Sequence, residues 1–97
     1  MRIIARRTLR EFWESHPNAE DPLLNWYRTV RHADWDTPMQ VKTSFPKADM
    51  VGNNRVVFNI RGNDYRLIAK IDYRHRIVFV RFVGTHANYT RIDARKV

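Results

Sequence analysis

The amino-acid sequence predicts an α+β fold in which two N-terminal helices cover one face of a small, mostly antiparallel four-stranded sheet. Three observations lead there. Apolar residues in the first third recur at helical spacing; between residues 56 and 83 they alternate instead; and one parity of those alternating residues is wholly apolar. The element order that follows is β-α-α-β-β-β, with a further short helix before the second strand and another at the C-terminal end. Ninety-seven residues read as one domain, 1–97, of a size that buries roughly 60–70% of its unfolded surface.

Each element has its own signal. Arg2-Ile3-Ile4-Ala5 opens as a short strand, and Ala5, Leu9, Phe12 and Trp13 then fall on one face of a helix. His16-Pro17 ends that helix, because a residue before proline is pushed out of the helical region. Asn18 is placed to cap a second helix, with Asp21 three positions on and Pro22 tolerated in the first turn. Leu23, Trp26, Tyr27 and Val30 make its buried stripe. Thr37-Pro38 starts a short helix through about Ser44. Pro46, Gly52 and Asn53-Asn54 predict an irregular connection. Three β-rich runs follow, Val56 to Ile60, Tyr65 to Ile71 and Ile77 to Val83, joined by the hairpin segments 61–64 and 72–76.

Side chains alternate faces along a strand, so parity sorts the two sides of the sheet. Val56, Phe58, Ile60, Leu67, Ala69, Ile71, Val78, Val80 and Phe82 are all apolar and belong under the helices. The opposite set interleaves Val57, Ile68, Ile77, Phe79 and Val83 with Asn59, Arg61, Arg66, Lys70 and Arg81. Its cations in neighbouring strands are expected to share an open face within reach of one phosphate. Phe79 offers a base a stacking surface.

Bulk charge agrees. The net charge is +8, and residues 51–97 hold ten basic and three acidic side chains against eight and seven in residues 1–50. Fourteen of the eighteen basic residues are arginine, whose planar fork suits phosphate. Such a balance points to a polyanion, most simply nucleic acid. The absence of cysteine rules out disulfide and thiol chemistry and fits a reducing cytoplasm. No apolar run approaches the about 20 residues of a membrane span, and residues 1–7 lack the apolar core of a signal peptide.

After Arg81, Gly84-Thr85 turns the chain and Thr85 is a good N-cap. A helix from His86 sets His86 and Tyr89 on one face at i, i+3. No histidine pair has metal-ligand spacing, and no Ser-His-Asp set, phosphate loop or dinucleotide motif is present. Neither a metal nor a cofactor is therefore expected. Arginines, a lysine, a histidine and a tyrosine on a basic surface suffice to cleave RNA, which carries its own nucleophile. A base takes the 2′-hydroxyl proton, arginines stabilise the charged transition state, and an acid protonates the leaving 5′ oxygen.

The stretches R-T-L-R-E-F-W-E-S-H-P-N-A-E, L-L-N-W-Y, A-D-W-D-T-P, G-N-N-R-V-V-F-N-I, G-N-D-Y-R-L-I-A and V-R-F-V-G-T-H-A-N-Y give the chain a further meaning. In this order they resemble the HigB family of toxins from bacterial type II toxin–antitoxin systems, within the RelE-like superfamily. The resemblance implies a RelE-like sheet with helices on one side. It also implies cleavage of messenger RNA on the ribosome without a metal, and so translation inhibition. A helix-turn-helix, HigA-like antitoxin would hold the toxin inactive and carry the pair to operator DNA. Arg66, Arg81, His86 and Tyr89 match the superfamily's site residues, with either His86 or Tyr89 as base; Lys70, Arg61 and Phe79 are the expected RNA-binding residues. Where the family commonly reads T-H-A-E-Y-D, this chain has Asn88 and Thr90, and Asn88 is expected to complete a capping box only weakly. The competing reading is a non-catalytic basic RNA-binding or ribosome-binding module, since helices with three antiparallel strands are also similar to double-stranded RNA-binding domains.

Overall fold

Helix α1 (Arg6–Ser15) forms where the apolar spacing predicts it and buries Leu9 and Trp13. A 3₁₀ turn at Pro17–Ala19 separates it from α2 (Glu20–His32), whose buried face is Leu23, Trp26 and Val30. Asn18 does not cap α2. The intervening turn makes Ala19 the residue before the helix, and the Asn18 side-chain oxygen instead accepts a hydrogen bond from the Tyr65 hydroxyl. Helix α3 (Pro38–Ser44) starts at the expected place, with a reciprocal cap between Thr37 and Gln40. The computed structural model describes residues 1–97, the whole chain.

One mixed sheet has the order β1-β5-β4-β3-β2. β1 (Arg2–Ile4) runs parallel to β5 (Ile77–Thr85), with Arg2 opposite Ile77 and Ile4 opposite Phe79. β4 (Tyr65–Asp72) is antiparallel to β5 and to β3 (Arg55–Ile60). The sheet thus has five strands, not the expected four. The fifth, β2 (Asp49–Gly52), lies antiparallel to β3 within the segment read as an irregular connection. Four residues bounded by Asp and Gly carry little β signal, and the turn after them rests on Asn53 and Asn54 at φ 52° and 60°. Asparagine is among the few non-glycine residues that adopt such angles readily.

Leu9, Trp13, Leu23, Trp26 and Val30 of the helices join Val56, Phe58, Ile60, Leu67, Ala69, Ile71 and Val78 of the sheet in one core. Truncating a wholly buried leucine such as Leu9 to alanine costs about 2–5 kcal/mol at sites of this kind. Parity holds on β3, on β4 and on β5 as far as Val80. A β-bulge then intervenes, because Ala69 pairs with Val80 while Ile68 pairs with Phe82. Arg81 is the extra residue. Phe82 therefore leaves the helix face, where alternation had put it, and Val83 takes its place against the core.

The second face is not open at its centre. Helix α4 (His86–Tyr89) packs against β4 and β5. The chain beyond it crosses toward the β2–β3 turn, where Asn53 donates to the Arg95 carbonyl at 3.2 Å and Arg55 to the Val97 carbonyl at 2.9 Å. Val57 and Ile68, a cross-strand pair on this face, are buried.

Candidate active site

A cleft of 340 Å³ opens on the second face, lined by Lys42, Lys47, Ala48, Asp49, Val57, Asn59, Arg66 and Tyr89. Three elements converge to make it. β3 and β4 present Asn59 and Arg66 as directly opposed residues, α4 contributes Tyr89, and the end of α3 with the following loop contributes the two lysines.

The turn into α4 is fixed by a complete capping box. The Asn88 N–H donates to Thr85 Oγ1 at 3.1 Å, and the Thr85 N–H donates to Asn88 Oδ1 at 3.3 Å. The Thr85 hydroxyl adds a 2.8 Å bond to the same Asn88 oxygen. Asn88 thus completes the capping box that the sequence predicts only weakly. Gly84 opposes Arg66 across the ladder, and the Phe82 ring lies over it: a Cβ there would stand 2.6 Å from Phe82 Cζ.

Arg66 is held without a carboxylate. Its guanidinium lies 5.7 Å from the Tyr89 ring centroid, within cation–π range. It also donates to the Asn63 carbonyl at 3.2 Å and the Asn63 side-chain oxygen at 3.4 Å. No carboxylate pairs with it. The His86 ring is 6.4 Å from that of Tyr89, on an exposed position whose backbone N–H donates to the Asp64 carbonyl. Arg66, His86 and Tyr89 are therefore brought together.

The other expected residues are not. Lys70 stands four residues up β4 from Arg66, about 13 Å along the strand, opposite Arg55 and Phe79. Phe79 itself is flanked by Ile4 and Lys70. Arg81, exposed and without a hydrogen bond or ion pair, sits at the bulge beside Ile68 and Ala69. Arg61 is in the β3–β4 turn, ion-paired with Asp64. Arg66 and Lys70 thus stand two same-face positions apart on β4, separated by the buried Ile68, and the bulge offsets Arg81 from both.

Lys42, Lys47 and Asp49 were absent from the sequence reading. The Lys42 ammonium donates to the carbonyls of Pro46 at 2.9 Å and Ala48 at 2.7 Å, so it organises the loop that presents Lys47. The available signal was a lysine on either side of a helix end marked by Ser44 and Pro46, but nothing in that spacing names the strand it will face. Two titrating groups elsewhere are perturbed. The backbone N–H and ring of His75 bond the Asp72 carboxyl and hold it below its ordinary value, and burial pushes the Tyr73 hydroxyl up. No group of three or more His, Asp or Glu side chains is placed to hold a metal ion, and no helix is long and apolar enough to cross a membrane.

Comparison with known proteins gives a consistent result. Residues 19–92 match a family model described as HigB_toxin, RelE-like toxic component of a toxin–antitoxin system. An mRNA interferase HigB of Escherichia coli O6:H1 (strain CFT073) is 31% identical over 94 residues, covering 95% of this chain and 91% of that protein. An mRNA interferase toxin HigB of Escherichia coli (strain K12) is 26% identical over 91 residues, covering 92% and 88%. An mRNA interferase HigB of Shigella flexneri gives the same values.

Proposed function

The chain belongs to the HigB family of RelE-like toxins of toxin–antitoxin systems, and from that membership we propose that it is an mRNA interferase whose working surface is the Arg66–Tyr89 cleft. The observation that carries this reading is the meeting of Arg66, Lys42, Lys47 and Tyr89 in a cleft with a single carboxylate, Asp49, with the His86 ring 6.4 Å from that of Tyr89 just outside the lining. A scissile phosphate in that cleft faces cations that can follow its charge as it rises. The 2′ oxygen bonds to phosphorus while the bond from phosphorus to the 5′ oxygen breaks, leaving a 2′,3′-cyclic phosphate and a 5′-hydroxyl. His86 and Tyr89 share the proton traffic, one accepting from the 2′-hydroxyl and the other donating to the departing oxygen. Arg66 stabilises the transition state from a position preset by Asn63 and Tyr89.

The reaction needs no metal, because the cleft itself supplies cations, acid and base. Arg81, Lys70 and Phe79, beyond the covered centre of that face, and Arg61, in the turn beside Asn63, are further contacts for the RNA backbone. Cleavage occurs on the ribosome in the cytoplasm. A HigA-like helix-turn-helix antitoxin restrains the toxin and links it to operator DNA. Mapping of mRNA 5′ ends after incubation with programmed ribosomes tests the reading: new 5′-hydroxyl ends are expected, and are lost with Arg66→Ala. Salt-sensitive ribosome binding without new ends would instead identify a non-catalytic binder.

A further inference from the structure

The cleft at Arg66 is one of three hollows that meet at a single side chain. Asn59 lines that cleft, a larger neighbour of 440 Å³ and a third of 260 Å³. The larger hollow exists because β2 is short. Its pairing with β3 ends at Asp49 opposite Val57, so Phe58 to Ile60 have no strand beside them on that edge. The loop Phe45–Ala48 forms the opposite wall.

We propose that this larger hollow is a base-reading subsite, in which the base next to the cleaved phosphate inserts and its edge pairs with the Asn59 amide. The proposal rests on the nuclease reading above and assigns it a determinant of substrate choice. Three features carry it. Lys47, Ala48 and Asn59 line both hollows, so a nucleotide bound by its phosphate in one has its neighbouring base at the mouth of the other. Phe45, half-buried, gives the wall an aromatic surface suited to the flat face of a base, and the buried Phe58 ring beneath braces it edge-on at 5.0 Å. The exposed Asn59 side chain makes no hydrogen bond within the protein, leaving an amide donor and acceptor side by side, the arrangement that reads a base edge. Asn63, at the same hollow, has its side-chain oxygen engaged by Arg66, which ties the subsite's lip to the cation in the cleft.

Asn59→Ala and Asn59→Asp are to be compared with the unaltered protein on programmed ribosomes carrying messages randomised at the positions flanking the cut. The unaltered protein is expected to favour one base at one flanking position by about tenfold. Asn59→Ala should flatten that preference, and Asn59→Asp, which keeps acceptors and loses donors, should shift it toward bases with an amino group on the facing edge. An unchanged preference in both variants overturns the subsite while the nuclease reading stands. If the unaltered protein makes no cuts, the nuclease reading fails, and the Asn59 side-chain amide resonance, followed by NMR with short single-stranded oligonucleotides, decides the subsite. Base-dependent shifts support it, and their absence overturns it.

Discussion

The guanidinium of Arg66 lies 5.7 Å from the ring centroid of Tyr89 while its nitrogens donate to the Asn63 carbonyl and side-chain oxygen. It is thus oriented by an aromatic ring on one element and a turn on another, with no carboxylate to neutralise it. Lysine would keep the charge and lose the planar fork. Arg66→Lys is therefore expected to lower kcat on programmed ribosomes by about 100-fold and Arg66→Ala by about 100- to 1,000-fold, with little change in thermal stability. Full activity in Arg66→Lys would show that orientation of the fork is irrelevant.

Lys42 and Lys47 separate into different tasks. Lys42→Met removes two charge-assisted bonds to the loop carbonyls and should cost about 1–3 kcal/mol of stability, read by thermal unfolding. Lys47→Ala, with no internal bond to lose, should leave stability within about 0.5 kcal/mol. It should instead raise KM and lower the salt dependence of RNA binding by about one counterion. Reversal of these two profiles would refute the division.

Gly84 is crowded by its neighbour. Any Cβ meets the Phe82 ring at 2.6 Å, so Gly84→Ala should destabilise by about 1–3 kcal/mol. Phe82→Leu in the same chain should recover most of the loss, since the clash is with the far end of that ring. Denaturant unfolding of the four proteins in the cycle measures the coupling, and simple additivity would exclude the contact.

The β4–β5 turn should loosen in acid. Asp72 accepts the His75 N–H at 3.0 Å and the His75 Nδ1 bond at 2.8 Å, and its carboxyl titrates below the ordinary 3.8. A depressed folded value means that the contribution is complete above about pH 3.8 and is lost as pH falls through the folded value. Protection of the His75 amide, the slowing of its exchange relative to the unfolded chain's at the same pH, should therefore fall as pH drops below about 3.8, and Asp72→Asn should remove that pH dependence.

Helices and most strands were legible because the chain's apolar period changes from helical to alternating, and Thr37 and Thr85 mark helix starts through their own chemistry. The charged parity of β3 and β4 was legible for the same reason. The bulge at Arg81 was not: alternation carries no record of an inserted residue, and Phe82 and Val83 exchange faces without any change in composition. β2 was hidden because its strand character comes from pairing with β3 rather than from its residues. Arg66, His86 and Tyr89 could be grouped because β4 and the β5–α4 turn are adjacent in the ladder. Lys47 could not, because its approach depends on how α3 closes over an edge left free by a four-residue strand.

The parallel pairing of β1 with β5 has a consequence for synthesis. Arg2 waits for Ile77, and Ile4 for Phe79, so the first strand made can join the sheet only when the last strand arrives. At 5–20 residues per second that interval is roughly 4–15 s. During it the nascent chain has neither β5 nor the helix that carries His86 and Tyr89. The cleft is thus among the last parts to assemble, and the growing polypeptide lacks it until almost its entire length has been translated.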